Sequence, residues 1–145
     1  MRIARTLSVT ILVLIVLWTV AGPGWAAAGF REQVHVLWAV TGGQPGALFG
    51  WAVSELEDID GDGVKEAMTS AILDGPSANG AVFVFSGATG DPLYEFDGAP
   101  GDLLGYAISD AGDVDADGTH DIVAGARNGN RALVFSGATG DQCSS

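Results

Sequence analysis

Short apolar runs separated by Gly, Asn and Asp clusters pattern most of the chain. Val82-Phe83-Val84-Phe85, Leu93-Tyr94-Glu95-Phe96, Ile122-Val123-Ala124-Gly125-Ala126 and Ala132-Leu133-Val134-Phe135 are each four or five residues long. Runs of this length, rich in β-branched and aromatic residues and bounded by turn formers, predict strands. Residues 105–109 alternate in polarity and predict another. Residues 34–40 form a further strand-like run. Beyond the first 28 residues no segment sustains a 3.6-residue apolar period, so helices are not expected. Asn79-Gly80 and Asn128-Gly129 lie between apolar runs, where such dipeptides favour hairpin turns.

The pattern is duplicated. Gly43-Gln44-Pro45-Gly46-Ala47-Leu48-Phe49-Gly50-Trp51-Ala52-Val53-Ser54 lies 55 residues before Gly98-Ala99-Pro100-Gly101-Asp102-Leu103-Leu104-Gly105-Tyr106-Ala107-Ile108-Ser109. The offset falls to 50 at Ser86-Gly87-Ala88-Thr89-Gly90-Asp91, which recurs as residues 136–141. About five extra residues around 73–77 of the first copy account for the change. Four short strands per repeat of about 50 residues point to propeller blades. The expected fold is therefore all-β: blades of four antiparallel strands, about two of them plus part of a third, in an incomplete ring. Residues 44–98 form the first repeat and residues 99–145 the second, truncated one. Residues 29–43 are expected to hold the closing strand or strands of a preceding blade.

Each repeat carries an acidic nonapeptide. Asp58-Ile59-Asp60-Gly61-Asp62-Gly63-Val64-Lys65-Glu66 and Asp113-Val114-Asp115-Ala116-Asp117-Gly118-Thr119-His120-Asp121 place acids at positions 1, 3, 5 and 9 and glycine at position 6. Alternate carboxylates can converge on one centre where the chain curls. Such an all-oxygen set suits Ca²⁺, which takes six to eight oxygen ligands. The expected ligands are Asp58, Asp60, Asp62 and Glu66 with the Val64 carbonyl, and Asp113, Asp115, Asp117 and Asp121 with the Thr119 carbonyl. Two Ca²⁺ sites result. An EF-hand would need a bidentate Glu at position 12 and flanking helices. Thr69 and Ala124 stand there, between strand signals, so that reading is set aside.

These elements together resemble the FG-GAP repeat of integrin alpha-chain β-propellers and of many secreted bacterial proteins. The resemblance rests on Phe49-Gly50, on the two acidic loops and on Gly125-Ala126, and it covers about residues 43–141. Leu104-Gly105 keeps only the glycine of the opening, Arg127 stands where the pattern has proline, and Glu66 replaces the last Asp of the first loop. The resemblance implies that the loops join the first two strands of each blade and that the ions brace those turns. It also implies a role in adhesion or ligand binding, with a protein or carbohydrate as ligand.

The first 28 residues read as a secretory signal: Arg2 and Arg5, then an apolar run, then Pro23-Gly24 ahead of Ala26-Ala27-Ala28. Cleavage after Ala28 would leave an extracytoplasmic chain with no stable membrane insertion. It would also leave four basic residues against eighteen acidic ones. That balance excludes nucleic acid as a partner, since such binding needs clustered positive charge. Eight of the eighteen acids lie in the two loops, so the charge is localised. Cys143 is the only cysteine and can form no internal disulfide.

No catalytic constellation is present. His35 and His120 have no nucleophile partner, and neither a nucleophile elbow nor a phosphate loop occurs. Trp51 and Tyr106 occupy equivalent repeat positions, which favours packing over a carbohydrate platform also including Trp38. A secreted calcium-binding module is the expected function. The alternatives are the propeller portion of a secreted hydrolase or lyase, or a purely structural repeat of a larger surface protein. Two blades leave open faces, so further blades in cis or self-association are expected.

Overall fold

The polar turns cut the apolar runs into strands that pair with their sequence neighbours. A computed structural model describes residues 35–143 of the chain. The expected signal segment at 1–28 and the first residues of the expected closing strand lie outside the described residues. The strands are β1 (Phe49–Leu56), β2 (Glu66–Ala71), β3 (Ala81–Phe85), β4 (Pro92–Asp97), β5 (Leu104–Gly112), β6 (Asp121–Ala126) and β7 (Arg131–Phe135). They form two antiparallel sheets, ordered β1-β2-β3-β4 and β5-β6-β7, and no closed barrel. There is no helix among the described residues. The architecture is all-β and consistent with partial propeller blades.

The sequence repeat is also a repeat of register. Val53 faces Thr69 across β1 and β2, as Ile108 faces Ala124 across β5 and β6. Each first strand carries an irregularity just after its opening, between Phe49 and Val53 and between Leu104 and Ala107. The central strands β2 and β3 are almost wholly buried, whereas the edge strand β4 exposes Glu95 and Asp97. Charges on an edge discourage unintended pairing.

The Asn-Gly dipeptides do not make two-residue hairpins. Nine residues, 72–80, join β2 to β3, and four, 127–130, join β6 to β7. The left-handed residues are Gly75, Ala78 and Gly80 in the first connection and Asn130 in the second. A type I′ turn needs two adjacent left-handed residues, which neither connection supplies.

One core holds the sheets together. Leu56, Met68, Val82, Val84 and Phe96 meet Leu104, Ile122, Ala124, Ala126 and Phe135. Each large side chain fully buried there contributes about 1.5–3 kcal/mol of transfer free energy. Phe96 stacks on Phe135 with ring centres 4.2 Å apart. Trp51 packs on Tyr106 at 5.5 Å and donates its indole N–H to the Tyr106 carbonyl at 3.3 Å. The equivalent aromatics therefore pack on each other across the sheets while staying partly exposed.

The described part of the expected closing strand, residues 35–43, has no strand pairing. Among the described residues no strand pairs with it. Trp38 is nonetheless anchored on the first sheet, donating its indole N–H to the Gly87 carbonyl at 2.9 Å.

Candidate metal centres

Both acidic loops span the turn between the first two strands of a sheet, β1–β2 and β5–β6. Self-contacts curl them. Asp58 accepts from the amides of Gly61 at 2.7 Å and Gly63 at 2.8 Å, and Asp62 accepts from Val64 at 2.8 Å. In the second loop Asp113 accepts from Asp117 and Gly118, each at 3.1 Å, and Asp117 accepts from Thr119 at 2.8 Å. These contacts, in which an Asp side chain caps an amide further on, favour tight turns. They are also why a nine-residue stretch can fold back on itself.

The result is a pair of oxygen clusters. Asp58, Asp60 and Asp62 each offer one carboxylate oxygen, and the three lie within 4.8 Å of one another. Asp113, Asp115 and Asp117 do the same. Oxygens bound to one Ca²⁺ at about 2.3–2.6 Å can be no further apart than about 5 Å. The donor set is all oxygen, so it fits a hard cation and not a soft one. Partial loss of hydration, with the neighbouring charges of Asp117, Asp121 and Asp113, pushes the Asp115 carboxyl above its ordinary range. Unneutralised, the second cluster repels itself.

The ninth residues behave differently from the other acids. Glu66 is 2% exposed and Asp121 fully buried. Glu66 accepts from the amides of Ile59 at 2.8 Å and Gly87 at 3.1 Å. Asp121 accepts from the equivalent amides, Val114 at 2.7 Å and Gly137 at 3.1 Å. Each thus ties the start of its loop to the turn after the third strand. Glu66 stands apart from the Asp58 cluster, while Asp121 forms a second grouping with Asp115 and Cys143. Val64 and Thr119 sit at the loop exits and donate their amides inward.

The repeated Ser-Gly-Ala-Thr-Gly-Asp segments do more than turn the chain. Ser86 donates its hydroxyl to Asp62 at 3.2 Å, and Ser136 donates to Asp117 at 3.3 Å. A β-carbon on Gly87 would stand 1.8 Å from the Lys65 carbonyl oxygen, and one on Gly137 2.0 Å from that of His120. Glycine alone permits this approach. The sequence signal was available, since six identical residues recur in register, but nothing local linked them to acids some twenty residues away.

The two position-8 residues complete the surroundings. Lys65 pairs with Glu57 and Glu55, which hold its ammonium above its usual range. His120 bonds through Nδ1 to Asp110 at 2.9 Å, and this hydrogen bond raises the imidazole. Desolvation opposes ionisation of Asp110. The amides of Gly112 and Glu57 and the His120 ring outweigh it and lower the carboxyl. A further acidic group, Asp74, Glu95 and Asp97, lies outside both loops.

Comparison with known proteins bears on this duplicated unit. The chain is 32% identical to integrin alpha-IIb of Homo sapiens over 102 residues, 66% of this chain and 10% of that protein. It is 32% identical to integrin alpha-PS5 of Drosophila melanogaster over 114 residues, 72% of this chain and 11% of that protein. Integrin alpha-PS2 of the same fly is 31% identical over 98 residues, 60% of this chain. These partial matches support an FG-GAP-like repeat similar to those of integrin alpha chains. The chain spans about a tenth of the length of the curated relatives it matches. No protein-family model matches it. Among the described residues no helix is long and apolar enough to cross a membrane.

Proposed function

We propose that the chain is a secreted FG-GAP propeller module that binds a protein ligand, with Ca²⁺ bracing the strand turn of each blade. Residues 44–98 and 99–145 are the two repeats, and residues 29–43 derive from a preceding blade. One observation carries the calcium reading. Two separate loops gather their first three acids within 4.8 Å, and the same second-layer contacts hold each gathering. Asp58, Asp60 and Asp62 hold one ion and Asp113, Asp115 and Asp117 the other, with the Val64 and Thr119 carbonyls completing the sets. Glu66 and Asp121 act from behind, fixing the loop ends. The ion supplies positive charge that converts mutual repulsion into cross-linking. Extracellular modules of this sort bind with Kd on the order of 10⁻⁴–10⁻³ M, which suits a calcium-rich compartment.

A binding role is favoured over catalysis because the acids are committed to bracing, and His120 is engaged by Asp110. Calorimetric titration with Ca²⁺ tests the metal reading. Two sites are expected, one lost in Asp115→Ala and the other in Asp60→Ala. An absence of binding at millimolar Ca²⁺, with an unchanged melting curve, overturns it.

A further inference from the structure

One side chain at the junction between the two sheets touches the backbone beside both acidic loops. Asp110, near the end of β5, accepts from the amide of Glu57 at 3.3 Å and from that of Gly112 at 2.7 Å. Glu57 directly precedes Asp58, the first acid of the first loop, and Gly112 directly precedes Asp113, the first acid of the second. The same carboxylate bonds the ring of His120 at 2.9 Å, directly before Asp121. The Glu57 side chain in turn pairs with Lys65, directly before Glu66. Lys65, Glu57, Asp110 and His120 therefore run in series from position 8 of one loop to position 8 of the other.

The backbone of β5 is shaped for this contact. Its register slips between Asp110 and Gly112, and Gly112 is left-handed with φ of 69°. The corresponding end of β1 keeps unbroken register from Val53 to Leu56. A bulge re-aims the side chain beside it. Here the Asp110 carboxylate folds back onto the Gly112 amide and still reaches Glu57 on the other sheet. A second contact joins the same two loops. Ile59, at position 2 of the first, packs against the shared core, and a β-carbon on Gly137 would stand 3.3 Å from its Cγ2. Gly137 donates its amide to Asp121, and Ser136 beside it donates its hydroxyl to Asp117.

We propose, resting on the calcium reading above, that Asp110 is a positioning residue shared by the two metal sites, and that filling one site tightens the other through it. An ion in the second loop fixes Asp113, and with it the Gly112 and His120 partners of Asp110. The carboxylate is then already placed when the first loop must order its entry at Glu57. Part of the ordering cost is thus met once for both sites. Linkage makes the effect mutual. Charge acts the other way. A filled second site is less negative than the same loop left empty, so electrostatics alone would weaken cation binding at the first.

NMR titration of the full chain with Ca²⁺ reads the sites separately, at the amides of Gly63 and Gly118. Asp115→Ala empties the second loop and should loosen the Gly63 site by about fivefold or more, the lower end of ordinary coupling between sites. With Asp110→Ala both sites should still fill, and the Gly63 affinity should no longer depend on Asp115→Ala. Should that variant fail to fold, Asp110→Asn keeps the shape and one acceptor oxygen, and the Gly63 difference should shrink. Asp97→Asn removes an equal charge outside both loops and should leave the difference intact. Hydrogen exchange gives a readout independent of affinity. In Asp60→Ala, whose first loop stays empty, Ca²⁺ should slow exchange of the Glu57 amide, and adding Asp110→Ala should abolish that slowing. If both sites fill in the parent chain and the Gly63 affinity in Asp115→Ala is equal or tighter, coupling is wrong and the calcium reading stands. If Asp110→Ala weakens the Gly118 site and leaves the Gly63 difference intact, Asp110 braces its own loop alone and the proposal falls. If neither amide responds to millimolar Ca²⁺, the calcium reading fails, and the coupling with it.

Discussion

The two acidic loops reach the same arrangement with different residues. At position 4 the first has Gly61 and the second Ala116, both left-handed, with φ of 82° and 63°. At position 8 the first has Lys65, paired with acids at the end of β1, and the second His120, paired with Asp110 in β5. At position 9 Glu66 and Asp121 differ by one methylene, yet each bonds the same two amides. What is repeated is therefore the set of connections, and residue identity varies beneath it. The differences also mark where each loop is weak. The first has the relaxed backbone and the longer acid. The second has the shorter, fully buried acid and a strained alanine.

The largest effect is expected at position 9. Asp121→Ala strips two backbone amides of their acceptor, and each unsatisfied buried group costs about 1–3 kcal/mol. Urea unfolding should show a loss of about 3 kcal/mol, with Glu66→Ala close behind. A change below about 1 kcal/mol for either would break the equivalence. Calcium comes next. At 10 mM Ca²⁺ and Kd on the order of 10⁻⁴–10⁻³ M, each site adds roughly 1.4–2.7 kcal/mol to unfolding. A chelator should remove both shares and Asp115→Ala only one, as read by melting temperature.

Smaller effects separate the loops further. Ala116→Gly relieves a left-handed alanine and should stabilise by about 1 kcal/mol, while Gly61→Ala should destabilise by a similar amount. Equal responses of the same sign would show that the backbones are not equivalent. The smallest effect is on pH. The Asp110 carboxyl is lowered in the folded chain, so its contribution is present above its unfolded value near 3.9 and is lost as pH falls through the folded value. Acid unfolding of Asp110→Asn should therefore be shallower than that of the parent chain below about pH 4. Coincident acid limbs would remove the Asp110 contacts from the account.

The strands and their order were legible because short apolar runs bounded by Gly, Asn and Asp leave few alternatives, and because the duplication fixed the register of one copy by the other. The cluster acids were legible from alternation alone. The burial of Glu66 and Asp121 and their bonds to two backbone amides each were not legible, because spacing alone says nothing about which amides close on the ninth acid. Nor was the part played by Ser86, Gly87, Ser136 and Gly137, since their contacts close only after the third strand pairs. The unpaired state of residues 35–43 was equally hidden, because a strand-like composition says nothing about whether a neighbour is there to pair with.

The hydroxyls of Ser86 and Ser136 have a consequence for how the chain is made. Asp62 and Asp117 are held by groups 24 and 19 residues further on, across a strand that must already be in place. An emerging chain carries the acidic nonapeptide well before it carries that support. A cation bound as proposed would find only a floppy string early in folding and a finished cage late, so nearly all of its binding energy would favour the native state. Under the calcium reading proposed above, the ion would act as a lock turned after closure, and its removal is expected to speed unfolding far more than it slows folding.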